Sequence, residues 1–106
     1  MKEVRLDPRH RRILLEILER HPSVQKAAVF GSRALGTNDR TSDIDLVLYG
    51  NVEEHTLGKI RTAIDDTTLP YFVDIIAYHA IHNNALLRHI DEHGLVIFEQ
   101  PRKTSA

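Results

Sequence analysis

Residues 43–49 read Asp-Ile-Asp-Leu-Val-Leu-Tyr, an alternation with only one reading in an extended chain. Successive side chains of a strand point to opposite faces, so Ile44, Leu46 and Leu48 share one face and Asp43, Asp45 and Val47 share the other. The first face demands an apolar layer beneath it. The second carries two carboxylates about 7 Å apart along the backbone. Any fold for this chain must bury one side of this strand and leave the start of the other side open to solvent or a ligand.

The neighbouring segments supply that layer. Asp7-Pro8 reads as a helix start, with the Asp as N-cap and the Pro at the first helical position. Ile13, Leu14, Ile17 and Leu18 then form an amphipathic stripe ending near His21-Pro22. Residues 24–30 are a short apolar run, read as a buried strand closed by Gly31-Ser32. A brief helical turn over 33–35 leads into the polar loop GTNDRTS. Beyond the alternating strand, 52–67 reads as a helix interrupted by Gly58, and 71–78 as a β-branched, aromatic strand. Residues 80–93 read as a helix with Gly94 at a left-handed C-cap, and 95–98 as a last strand. The order helix, strand, strand, helix, strand, helix, strand predicts an α+β domain: a small mixed sheet with helices mainly on one face. Residues 1–100 make one domain, and 101–106 a polar C-terminal tail.

Composition narrows the chemistry. At 106 residues there is room for one small domain. With no cysteine, disulfides and thiolate metal sites are excluded. A formal net charge of −1 argues against a non-specific nucleic-acid binder, so no direct nucleic-acid partner is expected. The start, MKEVRLDPRHRR, lacks the apolar run of a signal peptide, and no stretch approaches membrane-spanning length. No membrane association and a cytoplasmic location are the expectation.

Asp43 and Asp45 would repel each other when ionised, each raising the other's cost. A divalent cation between them makes sense of the pair, and an oxygen-only donor set points to a hard ion, Mg²⁺ or Mn²⁺. The plainer account is that Asp-Ile-Asp only marks where a polar loop becomes a strand. Gly31-Ser32 shifts the balance. The glycine lets the backbone turn sharply and a ligand approach closely, while backbone N–H groups and the serine hydroxyl at a helix start suit phosphate oxygens. An ordinary serine N-cap would look the same in isolation.

Gly31-Ser32, ten residues, then Asp43-Ile44-Asp45 resembles the G-S-x(10)-D-x-D signature of the DNA polymerase β-like nucleotidyltransferases. The Gly-Ser-Arg form and short length are similar to the minimal members. The resemblance implies the nucleotidyltransferase fold and a third carboxylate on a later strand, matched by Asp74 in YFVDIIAY. An ionised Asp within an apolar strand is costly without compensation, although an Asp facing solvent at a sheet edge would also fit. The implied activity moves a nucleoside monophosphate, AMP from ATP, to a hydroxyl. Asp43, Asp45 and Asp74 would be the catalytic and metal residues, two Mg²⁺ ions the cofactors, and Gly31, Ser32 and Arg33 the nucleotide-binding residues.

The resemblance also implies a partner. Minimal nucleotidyltransferases pair with helical HEPN-type toxins, for which they serve as antitoxins, and some place AMP on a tyrosine of the partner. The competing readings are a non-catalytic binding antitoxin or scaffold, and transfer to a small molecule. Other features weigh less. His89 and His93 stand i, i+4, a spacing that suits zinc, but histidines near a helix C-terminus are favoured by its dipole. Arg33 and Arg40 flank the motif as phosphate contacts or exposed charges. Arg9-His10-Arg11-Arg12 reads as a solvated helix face.

Overall fold

The computed structural model describes residues 6–37 and 43–101. Arg40 and the tail beyond residue 101 lie outside the described residues. The elements are α1 (Pro8–Glu19), β1 (Lys26–Phe30), α2 (Ser32–Leu35), β2 (Ile44–Tyr49), α3 (Glu54–Asp65), β3 (Val73–Ala77), a 3₁₀ turn (Tyr78–Ala80), α4 (Asn84–His93) and β4 (Leu95–Glu99). As the sequence predicts, this is a mixed α+β domain.

The sheet has the order β3-β2-β1-β4. β1 pairs antiparallel with both β2 and β4, whereas β2 and β3 run parallel. A parallel pair needs a crossover connection, and α3 supplies it. Gly58 does not break α3, because it is exposed with open space around it and the apolar contacts come from Leu57, Ile60 and Ile64.

The alternation in β2 sets the two cores. Ile44, Leu46 and Leu48 are fully buried on the face covered by α1 and α3, with Leu14, Ile17, Leu18, Ile60 and Ile75. Each such aliphatic side chain stabilises the fold by about 1.5–3 kcal/mol, so this larger core carries most of the hydrophobic stability. Val47 lies on the other face with Ala28, Ile81 and Ile90. The two long helices thus share one face, as expected, and α4 covers part of the other. That placement brings α4 to the face bearing Asp45.

Helix ends follow their local chemistry. The Asp7 carboxylate accepts the Arg9 N–H at 2.8 Å and capping holds α1 in place. Hydrogen bonding from the Arg9 side chain and amide holds that carboxyl down to about 2. Asn83 caps α4 by accepting the Leu86 N–H at 3.1 Å. At the far end Gly94 has φ −60 and ψ 136, so the expected left-handed C-cap is not formed. Glycine suits the position for another reason: a Cβ would sit 2.6 Å from the Ile90 carbonyl oxygen. Among the described residues no helix is long and apolar enough to cross a membrane.

Candidate active site

The end of β1, the start of β2 and the start of β3 meet at one edge of the α4 face. Asp45 and Asp74 are direct partners in the parallel register. Residues paired in this way share a sheet face, and the flanking Val73 and Ile75 enter the opposite core, which puts Asp74 on the side of Asp45. Asp43 precedes β2 by one residue and is exposed; Asp45 is half-buried; Asp74 is exposed.

Electrostatics ties the three together. The Asp45 carboxyl is raised above its ordinary value, first by burial, then by the charges of Asp74 and Asp43, with the nearby His89 partly opposing. Among the described residues no cation forms an ion pair with any of the three. Nor, among those residues, are three His, Asp or Glu side chains gathered closely enough to hold an ion as they stand. Mutual repulsion fits that spacing, with His89 the charge that partly offsets it at Asp45.

Gly31 forms the roof of the site. It has φ 73 and ψ −150, a region open essentially to glycine alone. A Cβ built there would lie 2.5 Å from Asp45 Oδ2. The missing side chain is what lets the Asp45 carboxylate reach up beneath the turn. Gly31, rather than Ser32, is the N-cap of α2, and Ser32 is its first helical residue. Ser32→Ala deletes a single hydroxyl and leaves these backbone positions alone, so nucleotide affinity is expected to fall by no more than about tenfold, as titration calorimetry would read.

Two residues occupy places that local sequence does not disclose. Arg33 is buried, with its guanidinium over the Tyr71 ring at 4.6 Å from the centroid. Tyr71 in turn meets His10 edge-on and shares a hydrogen bond with its Nδ1. Arg33 therefore joins α2 to α1 and the approach to β3, where the sequence had offered it as a nucleotide contact. His89, weighed above only as half of a zinc pair, accepts the Gly31 N–H on Nε2 at 2.9 Å. The Gly31 amide, expected to be free for phosphate, is thus engaged by α4. His93 lies next to it, ring centroids 5.4 Å apart, and no third ligand completes a zinc site among the described residues. The signal for His89 was its helical position alone; its partner is 58 residues away.

The donor set nonetheless fits a hard divalent cation. It is made of oxygen atoms, its carboxylates repel one another, and the missing Cβ of Gly31 leaves room at Asp45 Oδ2.

Residues 13–103 match the family model described as Polymerase beta, Nucleotidyltransferase. The chain belongs to this family. Solved structures agree with the fold. A toxin–antitoxin crystal structure with AMP-PNP is similar at TM-score 0.69 and 19% identity, over 85% of this chain and 73% of that one. The MntA-HepT toxin–antitoxin structure is similar at TM-score 0.65 and 14% identity, over 89% and 74%. A putative nucleotidyltransferase from Sulfolobus solfataricus gives TM-score 0.51 and 22% identity, over 84% and 76%. A comparison with curated protein sequences finds no match.

Proposed function

We propose that this nucleotidyltransferase domain transfers AMP from ATP to a hydroxyl of a helical HEPN-type toxin, a tyrosine in the first instance, and so acts as its antitoxin. The observation that carries the reading is the pairing of Asp45, which lies against the Gly31 turn, with Asp74, which puts two carboxylates beside a turn built for close approach. The similarity to toxin–antitoxin complexes, one holding AMP-PNP, supports the choice of nucleotide and partner.

Asp43 and Asp45 would hold a Mg²⁺ ion, and Asp74 would share a second with them. When bound, Mg²⁺ neutralises triphosphate charge and lowers the pKa of an acceptor hydroxyl. The protein's own part is positioning. Gly31 lets the phosphates approach closely, Ser32 contacts them, and Asp45 and Asp74 keep the reacting groups in line. The acceptor oxygen forms a bond to the α-phosphorus, the bond from that phosphorus to the bridging oxygen breaks, and pyrophosphate leaves. Asp74, exposed at the sheet edge, takes the hydroxyl proton.

The test is intact-mass measurement of the co-purified partner after incubation with ATP and Mg²⁺. A gain of one or more AMP units, lost when the modified tyrosine is changed to phenylalanine, is the expected result. A partner that binds but never gains mass would make the domain a binding antitoxin. AMP appearing on a small hydroxylated molecule instead would keep the chemistry and reject the acceptor.

A further inference from the structure

The nucleotide reading leaves α4 without a task at the site, yet α4 touches it. We propose that His89 is a positioning residue for nucleotidyl transfer: by accepting the Gly31 N–H it holds the Gly31 turn over the Asp45 carboxylate. The inference rests on the proposed function for its catalytic meaning and on geometry for its mechanism.

The turn needs an outside restraint. Gly31 sits in backbone space that glycine leaves readily in a free chain, and the α2 that follows is only four residues long. Its own hydrogen bonds run onward, from the Ala34 and Leu35 amides to the Gly31 carbonyl, and do not fix the Gly31 amide. His89 does so across the fold, at 2.9 Å. The imidazole is itself well placed. Ile90, the next residue, is buried in the smaller core, and Asn83 caps the helix that carries both. The His89 ring also meets Phe30, the residue before Gly31, in an edge arrangement at 6.2 Å between centroids. The last strand residue and the first turn residue are thus gripped by one side chain. Because Gly31 donates, Nε2 must carry a lone pair, with the ring proton on Nδ1. The role requires an acceptor at that point and has no use for a cation.

That requirement sets the experiment. His89→Ala removes the acceptor, His89→Gln offers a carbonyl oxygen at nearly the same reach, and His89→Lys offers only donors and charge. Amide exchange of Gly31 by NMR, on the metal-free protein, and binding of AMP-PNP with Mg²⁺ are read for each. In His89→Ala and His89→Lys the Gly31 amide should exchange about tenfold faster, and AMP-PNP affinity should fall by a similar factor. His89→Gln should restore both. Unchanged Gly31 exchange in His89→Ala, or rescue by lysine equal to that by glutamine, overturns the proposal. If the exchange pattern holds but the unaltered protein takes up no AMP-PNP, the nucleotide reading itself is rejected and His89 is left a fold contact only.

Discussion

Replacing Asp43 and Asp45 together by asparagine should abolish nucleotidyl transfer while leaving the domain folded. Amides keep the shape of the carboxylates, so neither core is disturbed, but they hold Mg²⁺ poorly and cannot balance its charge. The same change should stabilise the metal-free protein at neutral pH. Folding raises the Asp45 pKa through burial and the Asp74 and Asp43 charges. A raised carboxyl favours the folded state in acid, below the ordinary carboxylate range, and that contribution is lost as pH rises through the raised value. At neutral pH the metal-free protein therefore bears the full repulsion, and the asparagine variant escapes it. Thermal melts should show the variant above the unaltered protein at pH 7, with the gap closing in acid. Added Mg²⁺ should raise the melting temperature of the unaltered protein alone. Transfer at the unaltered rate by the double variant would remove these carboxylates from the mechanism.

Gly31→Ala should damage stability and the site together. Alanine is strained at φ 73 and ψ −150 by about 1–3 kcal/mol, and its Cβ would strike Asp45 Oδ2. Either the turn relaxes, breaking the His89 contact, or the Asp45 carboxylate swings away from the site. Each kcal/mol lowers the melting temperature of a domain this size by roughly 4–8 °C, so calorimetry should detect the loss easily. Nucleotide binding should fail together with stability. A variant melting within a degree of the unaltered protein would show that the turn tolerates a side chain, and that the roof over Asp45 is looser than described.

Much of this site could be read from β2 and the turn before it. Period-two alternation is rigid, so the faces of Ile44, Leu46 and Leu48 followed directly from their order. Asp74 could be placed on a strand but not in a register, because pairing depends on how the α3 crossover lays β3 beside β2. Residues 80–93 could be read as a helix without showing which sheet face it would cover. The hidden parts are those made by distant partners. An arginine after Gly-Ser reads as a phosphate ligand, and only the fold shows that its guanidinium also lies over the ring of Tyr71, thirty-eight positions later. A histidine in a helix looks like a dipole-stabilised charge until it meets Gly31.

The parallel pairing of β2 with β3 has a bearing on how the protein is made. Local contacts form quickly, whereas parallel strands joined through a crossover close late because chain entropy must first be lost. Asp45 and Asp74 come together only through that slow pairing, and the His89 contact to the Gly31 turn awaits a still more C-terminal helix. A chain emerging from the ribosome therefore exposes Gly31, Ser32, Asp43 and Asp45 well before they form a site. The carboxylate cluster and its turn need residues as late as Asp74 and His89, so a chain cut short before α4 carries the signature motif without the assembled arrangement.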